Sequence, residues 1–152
     1  MIIDIGASNY AKRGDINFIY YKDNSIDKRH EQYDKYFPIK NDGIAYYFTN
    51  EVDIIIKLLE LGQLRKENTY LFIHSFEHNY KNFWLLSFIA YYEPTVYIAV
   101  PNCSYSDIHD KEDKGHLFSF NKYSLENMLR YMGFTNIEFI LNEEDLFVKA
   151  YF

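Results

Sequence analysis

Apolar runs and stretches of helical periodicity alternate along most of the chain. Seven short runs rich in β-branched and aromatic residues predict strands, at residues 1–8, 16–21, 43–48, 69–76, 95–102, 135–141 and 145–152. The first run, MIIDIGAS, ends in small residues and therefore predicts a strand that enters a tight turn. The run TVYIAVPN is apolar throughout, which is typical of a buried strand in a parallel sheet.

Three segments instead place apolar residues at helical spacing. Asn50 can cap the first helix and Gly62 can end it. Pro94 ends the second, and the third lies between Asn121 and Gly133. The predicted apolar stripes are Val52, Ile55, Ile56 and Leu59 in the first helix, Trp84, Leu85, Phe88, Ile89 and Tyr92 in the second, and Leu125, Met128, Leu129 and Met132 in the third.

This alternation predicts a single α/β domain over residues 1–152, with a doubly wound, mostly parallel sheet. The last two runs, joined by the acidic turn Asn-Glu-Glu, predict an antiparallel hairpin at the C-terminus. Only the short spacer 9–15 separates the first two strands, and the charged stretch 22–42 predicts a loop with at most a helical turn, so the N-terminal helices are reduced. Right-handed crossovers would bring the strand C-termini to one edge of the sheet, where such folds bind ligands.

The composition of the chain argues against several classes of protein. The net charge of −6 disfavours a protein held on nucleic acid by its overall field. No apolar run reaches the length of a membrane span, and the chain opens without a basic segment or cleavage site, so we expect a soluble cytoplasmic protein without a signal peptide. The single cysteine excludes a disulfide framework within the chain. The 16 Tyr and 13 Phe leave open a homodimer or a protein partner bound through an aromatic surface.

The segment FIHSFEH, residues 72–78, concentrates candidate chemistry directly after a predicted strand. A metal site would need three or more ligands, and the four-residue spacing of His74 and His78 suits a helix better than this strand end, so metal is disfavoured. Two interpretations stay open. One histidine could orient an acceptor or take its proton; alternatively, Glu77 starts a helix and His74 is a hydrogen-bonded histidine at the sheet edge.

A second polar cluster lies between residues 103 and 116. His109 and His116 occur there with three aspartates, which permits a metal-dependent hydrolase as a weaker hypothesis; the aspartates are Asp107, Asp110 and Asp113. Their spacing is irregular and lysines are interleaved, so a solvated loop is favoured. Cys103 has no assignable histidine partner and is interpreted as a small buried residue rather than a nucleophile.

Four segments, in order and at suitable spacing, resemble the class I S-adenosylmethionine-dependent methyltransferases. They are IIDIGAS (2–8), IHSFEH (73–78), YIAVPN (97–102) and GHLFSFNKYSLENMLRYMGF (115–134). The first resembles the glycine-rich loop after the first strand, the second the end of the fourth strand, and the third the fifth strand with its Val-Pro-Asn ending. The last is the most specific, and the whole pattern is most similar to the small type-11 and type-23-like branch.

This resemblance implies S-adenosyl-L-methionine as cofactor and methyl transfer to oxygen or nitrogen of a small-molecule or glycan-type acceptor. The implied cofactor-binding residues are Asp4, Gly6, Ala7 and Ser8 in the loop, Asp23 for the ribose and Asp42 near the adenine. The implied catalytic residues are His74, His78 and His116, and the implied acceptor-binding residues are Glu77 and Asn102. No metal is implied.

The chain also departs from the family pattern. Ser8 replaces a second glycine, and Tyr20 and Tyr21 fill the places where the family has the ribose-binding acid. The helix expected between the first two strands is reduced to residues 9–15. These departures describe a trimmed methyltransferase and support an alternative, in which the same fold is a catalytically inactive binding or scaffold subunit.

Overall fold

The computed structural model describes residues 1–20, 28–104 and 118–152. The strands are β1 (Ile2–Ile5), β2 (Ile16–Tyr20), β3 (Ile44–Phe48), β4 (Thr69–Ile73), β5 (Thr95–Pro101), β6 (Asn136–Asn142) and β7 (Asp145–Tyr151). Within the described residues the α-helices are α1 (Glu51–Glu60), α2 (Lys81–Ala90) and α3 (Lys122–Tyr131), and short 3₁₀ helices span Lys28–Tyr33 and Phe76–His78. All seven predicted strands are therefore confirmed.

The strands form one sheet in the order β3-β2-β1-β4-β5-β7-β6. The pairs among β1 to β5 are parallel, whereas β7 runs antiparallel to both β5 and β6. This confirms the predicted α/β sheet with an antiparallel C-terminal hairpin and reduced N-terminal helices. Because Pro101 at the end of β5 pairs with Asp145 at the start of β7, the carboxyl ends of β1 to β5 and the beginning of β7 share one edge. We call it the carboxyl edge.

The first face of the sheet carries the main hydrophobic core. Alternate strand residues, such as Tyr70 and Phe72 of β4, point into it. Leu58 of α1, Leu86 of α2 and Leu129 of α3 pack against them and are fully buried. These helices remove the apolar side chains of the strands from water, which is the main favourable contribution to folding.

The second face of the sheet has a thinner cover. Leu71 and Ile73 of β4 point to this side, together with Ala99 and Phe147 from the neighbouring strands. Among the described residues, Tyr33 from the 3₁₀ helix Lys28–Tyr33 is buried among them, and Phe37 packs beside it. A short segment thus covers this face where a longer helix would otherwise be needed.

The helix caps follow the sequence, and so does the buried face of α3, where Leu125 and Leu129 are buried and Met128 and Met132 pack against the core. Asn50 caps α1 by accepting a hydrogen bond from the Asp53 N–H, and Asn121 forms a reciprocal cap with Ser124 at α3. In α1 the predicted stripe is confirmed at Ile55, which is buried, and wrong at its other three positions: Val52, Ile56 and Leu59 are 48%, 49% and 55% exposed. Glu51, Ile54 and Leu58 are buried together with Ile55, since the sheet and α2 contact this side of the helix.

Helix α2 and the strand before it, β4, are both shorter than the sequence pattern predicts. The helix spans Lys81–Ala90, and Trp84, placed in the predicted apolar stripe, is 50% exposed. Strand β4 ends at Ile73, because His74 has a left-handed backbone with φ 48° and Phe76–His78 forms a 3₁₀ turn. No helix in the described ranges has the length and apolar character needed to cross a membrane.

Candidate functional site at the carboxyl edge

The glycine turn after β1 lies at the carboxyl edge. Gly6 has a φ of +82°, and a side chain at this position would collide with the Ser75 side chain. The N–H groups of Gly6 and Ala7 both donate to the Phe18 carbonyl at 3.0 Å. Ser8 accepts hydrogen bonds through its hydroxyl from the amides of two residues that follow it. Glycine is thus required for the approach of the segment after β4, and these loop amides are already paired within the protein.

Asp4 is buried in β1, behind the glycine turn. Its Oδ2 accepts the Arg13 N–H at 3.1 Å. Burial raises the pKa of Asp4 to about 7, against the lowering effects of this hydrogen bond and of the Arg13 charge. Arg13 in turn donates to Asp34 Oδ1 at 2.6 Å and to the His30 carbonyl at 2.9 Å. The spacer between β1 and β2 is therefore joined by a buried arginine to the segment that covers the second face.

His74 is almost fully buried between two carboxylates. Its Nε2 lies 2.9 Å from Asp145 Oδ2, and its Nδ1 lies 3.3 Å from Glu77 Oε1. Tyr33 donates its hydroxyl to the same Asp145 oxygen at 2.7 Å. Burial disfavours the imidazolium, but the hydrogen bonds and charges of Asp145 and Glu77 outweigh it and raise the pKa of His74 to about 9. At neutral pH His74 is a buried cation, which suits a structural link better than a proton acceptor.

Two further histidines lie beside this one. His78 is 44% exposed, with its Nε2 3.8 Å from Glu77 Oε1. The His30 ring stacks on the His74 ring with 4.9 Å between centroids. His30 was not among the residues predicted from the sequence, because its charged surroundings carry no periodic pattern. His116, the third predicted catalytic histidine, lies outside the described residues, as does the cluster at 107–113.

A buried polar cluster that the sequence did not predict lies at the ends of β2 and β3. Glu51, the first residue of α1, is buried, and its Oε1 accepts the Tyr20 hydroxyl at 3.0 Å and the Asn79 side-chain amide. Burial and the Glu51 charge raise the pKa of Tyr20 far above its ordinary value, so this hydroxyl remains a donor. Within the described part of the chain, Glu51 Oε2 is buried and has no hydrogen-bond partner.

Asn102 follows β5 at the carboxyl edge but is occupied within the protein. Its side-chain N–H donates to the Glu143 carbonyl at 2.8 Å, and its side-chain oxygen accepts the Ser104 N–H at 3.1 Å. It therefore holds the turn between β6 and β7 against the end of β5.

Asp42 is not brought to this edge. It precedes β3, whereas Gly6, Ala7 and Ser8 follow β1, and it lines a cavity of about 360 Å³ at the opposite edge of the sheet. Asp23 lies outside the described residues. Among the residues that are described, no group of three or more His, Cys, Asp or Glu side chains is arranged to hold a metal ion.

Among the comparisons with known proteins, the match comes from solved structures. No family model matches the chain, and no curated protein matches its sequence. Among solved structures, the crystal structure of the N-terminal domain of EvdMO1 with SAH bound superposes with a TM-score of 0.56 and 16% sequence identity. The match covers 99% of this chain and 73% of that one. Its likeness shows that this chain has the Rossmann-like methyltransferase fold.

Proposed function

We propose that this chain is an S-adenosylmethionine-dependent methyltransferase acting on oxygen or nitrogen of a small-molecule or glycan-type acceptor. The observation that carries the proposal is the likeness, over 99% of this chain, to a domain whose structure has S-adenosylhomocysteine bound, together with a glycine turn after β1 at the carboxyl edge of this sheet. Ligands of open α/β sheets bind outside the carboxyl ends of the strands. We place the cofactor there, within one domain spanning residues 1–152.

The fit of the cofactor depends on the side chains present at this edge. The unpartnered Glu51 oxygen suits a ligand that carries hydrogen-bond donors. The amides of Gly6 and Ala7 are less suitable, because both already donate to Phe18. When bound, S-adenosylmethionine supplies a methyl group on a positively charged sulfur. The role of the protein is then mainly to position the acceptor in line with that group.

The acceptor proton needs a destination once oxygen or nitrogen is methylated. His78 is the described histidine best suited to take it, because its ring is partly exposed and lies beside the Glu77 carboxylate. His74 holds a proton up to a pH of about 9 and so would orient the edge rather than act as the base. The predicted roles of His116 and Asp23 remain part of the proposal on the sequence resemblance alone.

Calorimetric titration with S-adenosylhomocysteine tests this function directly. We expect a dissociation constant in the micromolar range, as is common for enzyme ligands. Gly6→Val is a poor control, since any side chain at Gly6 meets Ser75 whether or not a ligand binds. His78→Gln is better: it should leave cofactor binding intact and lower methyl transfer about 10²-fold or more. No heat at millimolar ligand would refute the proposal.

A second candidate is a binding or scaffold subunit with the same fold. It is favoured by the paired loop amides at Gly6 and Ala7 and by the tyrosine at the end of β2. It is also favoured by three exposed aromatic side chains around α2, namely Tyr80 just before the helix, Trp84 within it and Tyr91 just after it. Sedimentation of the wild-type chain against Trp84→Asp tests this surface. A homodimer or complex that dissociates in the variant supports the scaffold, and monomers in both exclude self-association.

A further inference from the structure

We propose that this domain has a second binding site, a cavity at the amino edge of the sheet that takes a small organic amine with an apolar body. The amino edge is formed by the starts of β1, β2 and β3, which lie side by side because these strands are parallel. The cavity has a volume of about 360 Å³. It lies at the opposite end of the strands from the glycine turn, so a ligand there is separate from the proposed cofactor and binds whether or not the cofactor does.

Hydrogen bonds between the starts of β2 and β3 hold the wall of this cavity in place. The fully buried side chain of Asn17 accepts the Gly14 N–H at 2.8 Å and donates to the Gly14 carbonyl at 2.9 Å. A side chain at Gly43 would collide with this same carbonyl, so the two strand starts pack backbone to backbone. The Ile44 N–H donates to the Asp15 carbonyl at 2.9 Å. The cavity is therefore preformed, and a ligand pays little for reorganising it.

Apolar side chains make up much of the cavity wall. The strand starts supply most of them, and the segment after α1 returns to the same edge and supplies one more. Ile44 is 56% exposed and Met1 is 51% exposed, although both side chains are apolar. The apolar lining residues are Met1, Ile16, Ile44, Tyr46 and Leu61. Covering this surface with an apolar ligand removes it from water, which is favourable.

The charged groups at the cavity favour a positively charged ligand. Asp15 and Asp42 both line it, and the described lining includes no lysine, arginine or histidine. Two lysines near this edge are already paired: Lys40 Nζ lies 2.5 Å from Asp15 Oδ1, and Lys57 Nζ lies 2.6 Å from Glu60 Oε2. Neither lysine is left to pair with Asp42, so an ammonium group on a ligand can do so. The combination of apolar wall and carboxylates thus fits an amine on an apolar body.

Three probes of similar shape test the charge and the apolar body separately. Phenethylamine, phenethyl alcohol and hydrocinnamate are each titrated into the isotope-labelled full chain and followed by the chemical shifts of its backbone amides. The amine should bind saturably with a dissociation constant of about 1 mM, as expected for so small a ligand. It should bind about 5- to 10-fold more tightly than the alcohol, and hydrocinnamate should bind most weakly. The amides of Gly43 and Ile44 should shift, and those of Gly6 and Ala7 should not.

Two variants, each with a matched control, test the two parts of the site. Asp42→Asn should weaken amine binding about 5- to 10-fold, to the level of the alcohol, whereas Asp53→Asn on an exposed part of α1 should bind like the wild type. Ile44→Thr should weaken binding of all three probes about 2- to 5-fold. Ile56→Thr, at a side chain 49% exposed on α1, should have no effect. All four side chains are exposed, so each variant should fold.

The outcomes decide this site independently of the methyltransferase. Amine binding that shifts Gly43 and Ile44 and weakens in Asp42→Asn supports it. Shifts confined to the carboxyl edge, equal affinity for the amine and hydrocinnamate, an unchanged affinity in Asp42→Asn, or no saturation at about 20 mM amine would each overturn it. S-adenosylhomocysteine titrated in the same way should instead shift Gly6 and Ala7, so failure of one proposal leaves the other standing.

Discussion

The two faces of the sheet are stabilised in different ways. On the first face, helices α1, α2 and α3 bury apolar side chains such as Leu58 and Leu86. On the second, a short segment around Tyr33 lies over Leu71 and Phe147 and is held at its sides by buried charged groups. Apolar contacts are largely independent of pH, whereas buried ion pairs are not. The cover of the second face should therefore respond to pH where the first face does not.

The largest expected effect is on the first face. Phe72→Ala removes a fully buried ring that packs edge-on against Phe76 with 5.6 Å between centroids. The free energy of unfolding should fall by about 3–5 kcal/mol. Urea denaturation at pH 6.5 and at pH 9 should give the same loss. Tyr91→Ala, at an exposed ring, should change it by about 0.5 kcal/mol or less. A loss at Phe72 that depends strongly on pH would contradict the proposed difference between the faces.

The next effect concerns His74, on the second face. Its pKa is raised from 6.5 to about 9 in the folded protein. The stabilisation is therefore complete below pH 6.5 and is lost as pH rises through 9, a decrease of about 3 kcal/mol. Asp4 affects stability over a separate, more acidic range. Because its pKa is raised from 3.8 to about 7 in the folded protein, stability also decreases as the pH rises between these two values.

Urea denaturation from pH 7 to pH 9 isolates the histidine. Wild-type stability should decline across this window, and His74→Gln should be less stable at pH 7 but show little further decline. Asp4→Asn serves as the control, because it should remove the decline between pH 4 and pH 7 and keep the one above. An unchanged slope in His74→Gln would show that another group titrates there.

The smallest effect is expected at Arg13, which joins the spacer 9–15 to the second-face segment. Arg13→Met removes the hydrogen bonds to Asp34 and to the His30 carbonyl but leaves Asp34 access to water, because Asp34 is 39% exposed. Stability should fall by about 2 kcal/mol. Lys66→Met, which breaks an exposed pair with Glu93, is the matched control and should change stability by about 0.5 kcal/mol. Equal effects would mean that the buried arginine is no stronger a link than a surface pair.

The sequence by itself determined where the strands lie and where two of the helices begin. β-branched and aromatic runs marked each strand, and Asn50 and Asn121 marked the helix starts through hydrogen bonds that span only three residues. Such features depend on neighbouring residues, so a local pattern contains them. The same pattern did not fix which side of α1 is buried, because Val52 and Ile54 are both apolar and only contact with the sheet distinguishes them.

Tertiary structure decided the candidate site. Tyr20 and Glu51 are 31 residues apart in sequence, and His74 and Asp145 are 71 apart, yet each pair shares a hydrogen bond. No local pattern encodes such pairs, and a glutamate at a helix start looks the same whether it faces water or a buried tyrosine. The segment IHSFEH, which resembles the methyltransferases, was predicted to lie at the carboxyl edge of the sheet, and it does. The packing there decided that His74 is a buried cation and that Glu51 has a buried oxygen without a described partner.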